Sequence, residues 1–474
     1  MSNRLSFPQG FVWGSATAAY QIEGGAKADG RLPSIWDVFC QVPGKVKNGD
    51  TGDVADDHYH RMAEDLDLMA TLGLPSYRFS VSWPRVIPGG SGPVNDAGLD
   101  FYRRLVDGLL ERDITPLVTL YHWDLPQALQ VQGGWSNRDT VARFADYAEV
   151  IGRALGDRVP TITTLNEPWC TAFLGHSSGV HAPGITDNAT ALTVAHHLNL
   201  AHGRAVSVLR GLTPASTQLS VTLNLAQVYP ASDSAEDVAA AAHVDAIANR
   251  VFLDPMLRGS YPPELLRDTS HITDWSFVAD GDLAEINAGI DVLGVNFYAP
   301  SNVAAASEQV RAQVTGRWVN DPHQSEAGPS PWPGTDLAYS VPQPGPYTGM
   351  GWPIVPEAFT DLLLRVHRDY PELPMVITEN GAAFDDVLVD GEVHDADRID
   401  YVRRHLAAVH AAIEAGADIR GYYLWSFMDN FEWAWGYSKR FGMVHVDYDT
   451  LVRTPKDSAL WFRDVIKNNA VELG

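Results

Sequence analysis

Cysteine is scarce in this chain, with Cys40 and Cys170 the only two among 474 residues. A disulfide framework is therefore excluded as the source of stability, and a reducing, cytoplasmic setting is expected. Long apolar runs are missing as well. No stretch reads as a membrane-spanning helix, and the opening MSNRLSFPQGFVWGS lacks the basic segment and the apolar run of about 7–15 residues that mark a secretory signal. Basic residues are outnumbered 34 to 59, leaving a net charge of -25. Such a surface repels nucleic-acid phosphates and anionic lipid, so neither is an expected partner.

What is present suits a large packed core: 45% of residues are hydrophobic and 20% charged. No Pro/Ser-rich linker or short repeat divides the chain. Short β-rich runs alternate instead with longer amphipathic segments from end to end, the mark of parallel strands joined by crossover helices. Eight such runs occur: 11–17, 77–83, 116–123, 161–167, 219–225, 291–298, 375–380 and 421–427. Eight closes the common α/β barrel, so the expected fold is a (β/α)8 TIM barrel occupying 1–474 as a single catalytic domain with long βα loops.

Helical periodicity is clearest over 60–73, 99–113 and 398–416, where apolar residues recur every three or four positions. Gly73, Gly156 and Gly416 stand where such helices would stop, each expected to take the left-handed conformation beyond a helix end. The Gly/Pro-rich segment 299–355 is the least regular, and it should rim the C-terminal mouth with a role in substrate entry.

The sharpest chemical signals are TLNEP at 164–168 and ITENG at 377–381. In each a strand ends in a carboxylate beside an amide: Asn166 and Glu167 before the strand-breaking Pro168, and Glu379 and Asn380 before Gly381, which is expected to permit a sharp turn off the wall. Barrel closure brings the two glutamates to one pocket. Cleaving a glycosidic bond needs one acid to protonate the leaving oxygen and a second carboxylate to attack the anomeric carbon or activate water. A lone carboxylate at a strand end can instead serve an ion pair; the pair together favours chemistry.

The same mouth gains Gln21, Arg78, His122, Trp123, Asn296 and Tyr298, and after the last strand the loop 425–442 supplies Trp425, Glu432, Trp433 and Trp435. Sugars call for this mixture, because hydroxyls need fixed donors and acceptors while C–H faces lie against aromatic rings. DDHYH at 56–60 mimics a metal-binding His pair, yet His58 and His60 open a helix after the first strand, so capping or surface roles are expected and no metal. His196 and His197 are adjacent on a helix and should point apart.

Taken in order, FVWGSATAAYQIEGG, YRFSVSWPR, LYHWDLP, TLNEPW, GVNFY, ITENG, WSFMDNFEW and KRFGMVHVDY resemble glycoside hydrolase family 1, the family of bacterial and plant β-glucosidases, nearly end to end. The resemblance implies a retaining enzyme that acts on small β-glycosides by double displacement without cofactor or metal. It implies Glu167 as acid/base, Glu379 as nucleophile and Arg78 and Tyr298 as the groups that hold the nucleophile. Asn166 would take the sugar 2-hydroxyl, Gln21, His122, Glu432 and Trp433 the other hydroxyls, and Trp425 the floor. Trp169, Cys170 and Trp352 would shape the aglycone site. Glu167 speaks against the thioglucosidases, which lack it, and Glu432 against the phosphoglycosidases, whose substrate phosphate it would repel. Phe297 departs from the tyrosine of many relatives, and 299–340 matches no pattern.

Overall fold

The computed structural model describes residues 4–306, 332–333 and 337–473. Eight parallel strands close a barrel: β1 (Val12–Ala16), β2 (Ser76–Ser80), β3 (Thr115–Tyr121), β4 (Thr161–Asn166), β5 (Gln218–Asn224), β6 (Val292–Asn296), β7 (Met375–Asn380) and β8 (Ile419–Trp425). Each falls within or beside one of the eight runs. Closure is made by β8 against β1, where Gly421 faces Val12 and Trp425 faces Ala16. The small residue at Gly14 is obligatory, since a Cβ there would lie 2.5 Å from the Tyr423 ring.

Among the described residues a long helical segment follows each strand: α1 (His58–Thr71), α2 (Asp96–Leu110), α3 (Asp139–Leu155), α4 (Asn188–Arg210), α5 (Ala235–Asp245, continued by a π-helical turn into Val251–Arg258), α6 (Pro356–Asp369), α7 (Ala396–Glu414) and α8 (Asp457–Asn468). In α2 the buried Leu99, Tyr102, Leu105, Val106 and Leu109 repeat at three- and four-residue spacing, which lays one stripe on the barrel wall. Each such side chain contributes ~1.5–3 kcal/mol of burial. The Asp187 carboxylate accepts from the Thr190 N–H at 2.6 Å and fixes where α4 begins. Among the described residues no helix is long and apolar enough to cross a membrane.

The helix ends correct one expectation. Gly73 and Gly416 do take positive φ, +66° and +105°. Gly156 is right-handed at φ -64°. It is glycine for space, because a Cβ would lie 2.5 Å from the Gly152 carbonyl oxygen and 2.7 Å from a Thr213 methyl.

Of the segment 299–355, residues 307–331 and 334–336 lie outside the described residues. Its flanks are more regular than the Gly/Pro content implied: Ala338–Ser340 pairs antiparallel with Ser301–Ala305, which pairs parallel with Val228–Pro230. At the other end of the barrel, where strands begin, a cavity of about 540 Å³ is lined by Phe11, Val12, Thr161, Gln218, Val292 and Tyr423 and reaches inward as far as Thr378, the neighbour of Glu379.

Candidate active site

Both signal carboxylates sit where the strand pattern breaks. β4 ends at Asn166, and Glu167, the first residue beyond it, has φ +45°, a left-handed conformation uncommon for a side chain of this kind. On β7 the pairing with β6 shifts between Ile377 and Glu379, bringing Glu379 opposite Asn296. Strand alternation alone would send Thr378 and Glu379 to opposite faces, but the irregularity lets both side chains reach polar groups of the barrel interior. Gly381 then passes against β8: a Cβ there would lie 1.7 Å from the Trp425 carbonyl oxygen. Its φ is not positive, so close approach explains this glycine, and the expected turn conformation does not.

Arg78 joins the two halves of the site. Its Nη1 donates to Glu379 Oε1 and its Nη2 to Asn166 Oδ1, each at 2.6 Å. The Tyr298 hydroxyl donates to Glu379 Oε2 at 2.6 Å, so both Glu379 oxygens are held. Tyr298 lies two residues past β6 and reaches back over the strand end. On the other side Asn296 Nδ2 donates to Glu167 Oε1 at 2.6 Å, and the Cys170 thiol donates to Glu167 Oε2 at 3.2 Å.

Because a guanidinium only donates, Arg78 fixes the Asn166 amide with its oxygen toward Arg78 and its nitrogen toward His122 Nε2, 3.1 Å away. His122 must therefore accept at Nε2 and carry its proton on Nδ1. Burial, with the Arg78 charge adding to it, holds this imidazole well below its ordinary pKa and neutral.

The two carboxyls differ in environment. Glu167 is 5% exposed, and burial followed by the negative charge of Glu379 raises its pKa to about 8, against the lowering effect of its Asn296 and Cys170 donors. Glu379 instead has a fixed cation within hydrogen-bond distance. Glu432, in the loop after β8, is also pushed up to about 8, by burial and then by Glu379 and Glu167.

The family model described as Glycosyl hydrolase family 1 matches residues 3–471. This chain belongs to that family. It is 51% identical to a bifunctional β-D-glucosidase/β-D-fucosidase of Bifidobacterium breve, over 98% of this chain and 99% of that one. It is 48% identical to β-glucosidase A of Acetivibrio thermocellus, again over 98% and 99%. Among solved structures, the Thermotoga maritima family 1 glycoside hydrolase complexed with a cyclophellitol analogue transition state mimic superposes with a TM-score of 0.91, at 45% identity over 99% of this chain and 100% of that one.

In this family 1 chain the aromatic residues form a continuous wall. His122 lies between Trp425 and Trp433, its ring within 19° of one and 15° of the other, at 5.9 Å from each. Trp123 packs on Trp433 at 4.5 Å, and Trp352 packs on Tyr298 at 5.2 Å. Trp169 stands one residue before Cys170 on the Glu167 side. Gln21 donates to Asn430 Oδ1 and the Phe431 carbonyl, both at 2.9 Å, and to Glu432 Oε2 at 3.4 Å. Gln21 Oε1, His122 Nδ1, Trp169 Nε1 and Trp352 Nε1 are buried with no protein partner, a set of polar atoms suited to hydroxyl groups.

Glu167, Glu379, Arg78, Asn166, Asn296, Tyr298, His122, Gln21 and Glu432 thus meet in one hydrogen-bonded or charge-coupled group, and the histidine pairs lie elsewhere. His60 is exposed and pairs with Asp57, but His58 is 1% exposed and bonds Asp65 at 2.7 Å, a buried role in place of the expected cap or surface position. His196 and His197 do diverge, toward Asp282 and the Trp135 carbonyl. Sequence reasoning missed His181, packed on Trp123 at 5.5 Å, and Thr378, on the strand that carries Glu379. HAPG beside the Trp-rich wall was a signal for the first; alternation hid the second.

Proposed function

We propose that this chain is a retaining β-glucosidase, acting as one catalytic domain on terminal β-D-glucosyl residues of cello-oligosaccharides and of aryl and alkyl β-glucosides. The observation that carries the reading is the pairing of unlike carboxyls: Glu379 held by a cation and a phenol, Glu167 buried with its pKa raised to about 8. The Glu379 carboxylate attacks the anomeric carbon while the bond to the aglycone oxygen breaks and the Glu167 proton passes to that oxygen. The glycosyl ester removes the charge that raised Glu167, so Glu167 becomes a base. It takes a proton from water, the water oxygen attacks the anomeric carbon, and Glu379 leaves as a carboxylate. Two inversions give retention.

Gln21, His122, Asn166 and Glu432 would bind glycone hydroxyls, with Trp123, Trp425 and Trp433 as the apolar wall and Asn296 beside the acid. Arg78 and Tyr298 hold the nucleophile, and Trp169, Cys170 and Trp352 border the aglycone. The unpartnered Gln21 Oε1 and His122 Nδ1 support that placement. Free buried thiols at Cys40 and Cys170 support a cytoplasmic enzyme. The Bifidobacterium relative favours a second substrate, the β-fucoside, at the same site. Proton NMR of a β-glucoside digest tests the reading: β-glucose should appear first, and α-glucose first, or no hydrolysis of any β-glycoside, would overturn it.

A further inference from the structure

A chain of three hydroxyl and amide groups runs through the barrel interior beneath Glu167. The Thr222 hydroxyl donates to Thr378 Oγ1 at 3.4 Å, and Thr378 Oγ1 donates to Asn296 Oδ1 at 2.7 Å. Asn296 Nδ2, the other end of that amide, serves Glu167 Oε1 at 2.6 Å and Asn166 Oδ1 at 3.2 Å. All four of Thr222, Thr378, Asn296 and Asn166 are at most 2% exposed, and Thr378 also borders the cavity at the end of the barrel where strands begin. Space for the threonine pair is made by Gly294 on β6, where a Cβ would lie 2.4 Å from Thr222 Oγ1 and 3.0 Å from Thr378 Oγ1.

An amide beside a carboxyl that gains and loses a proton has two usable orientations. With nitrogen toward Glu167 it donates to the carboxylate; turned over, it accepts the proton of the neutral acid and keeps it from the leaving group. The second orientation would aim the Asn296 nitrogen at the Thr378 hydroxyl, which would then have to give up its role as donor. We propose that Thr378 is a positioning residue that, together with Asn166 Oδ1 on the nitrogen side, locks the Asn296 amide with its nitrogen toward Glu167, so that the acid's proton is left for the aglycone oxygen. This rests on the acid/base reading of Glu167 and adds a group that acts only through Asn296. The other charged and titratable groups around Glu167 are Cys170 on its own segment and Glu379, Arg78, Glu432, Tyr298 and His122 on five others, and none of them contacts Asn296 Oδ1.

The test compares Thr378→Ala with Thr378→Ser, both smaller than threonine and so free of crowding, on a β-glucoside with a poor leaving group and one with an activated leaving group. The alanine variant should lose about tenfold in kcat/KM on the poor leaving group and no more than about twofold on the activated one, which needs no acid. The alkaline limb of its kcat/KM profile should move upward by about half a pH unit, because the carboxylate form has lost a secured donor. Thr378→Ser should restore both. Gly294→Ala, which crowds the same hydroxyls, should reproduce the alanine pattern. Equal losses on both substrates with an unmoved limb, or a wild-type alanine variant, would overturn the proposal. Should Thr378→Ala fail to fold, the Gly294→Ala profile decides by the same criteria. A wild-type enzyme inert toward both substrates would instead sink the functional reading beneath it.

Discussion

Arg78 pairs with Glu379 at 2.6 Å with both side chains no more than 4% exposed, and it spends its second nitrogen on Asn166. Breaking a buried pair by removing one partner is costly, ~3–5 kcal/mol, because the remaining charge has no water to turn to. Arg78→Met should therefore destabilise the protein and lower turnover together, and Arg78→Lys should not restore it, since one ammonium cannot span two acceptors in a fixed fork. Thermal unfolding and kcat on one preparation check both.

Glu379→Gln keeps the shape of the side chain and removes the attacking charge. Turnover should drop by at least about 10⁴-fold with a near-native circular dichroism spectrum. Wild-type-like rates in that variant refute the nucleophile assignment.

Glu167→Ala should spare activated leaving groups in the first step and lose poor ones, and added azide should recover part of the second step as a β-glycosyl azide. If neither azide nor leaving group matters, Glu167 is not the acid/base.

The kcat/KM profile should fall on the alkaline side near pH 8, where Glu167 loses the proton it must deliver. Cys170→Ala removes a donor that favours the carboxylate form, so the limb should shift upward. A downward shift contradicts the contact. Kinetics across pH 5–10 suffice.

Glu432 predicts a stability effect of the same sign. Its folded pKa is raised to about 8, above the value in an unfolded chain, so the native state binds more protons. Its contribution is full below about pH 4.5 and is lost as pH rises toward 8. Glu432→Gln has no such dependence, and its Tm should gain on wild type between pH 5 and 8 while KM for glucosides rises. A constant Tm difference across that range counts against the buried-acid account.

The eight strands and their helices were legible because burial on both faces makes parallel strands read as apolar runs, while α2 and its fellows carry a single stripe. The two glutamates were legible because each stands beside an amide at a strand end. Thr378 was not, because period-two alternation assigns neighbours to opposite faces and a register shift is a property of the pairing, invisible in one strand. Gly156 and Gly381 were read as conformational when they are spatial, since what lies opposite a glycine comes from elsewhere in the chain. His58 looked superficial because its partner Asp65, two turns along the helix, closes over it.

Two strands, β5 and β6, stand between those that carry Glu167 and Glu379. The gap between the two carboxyls is therefore metered by wall circumference, a quantity belonging to no single loop. The rim loops that follow the strands do not enter that measure.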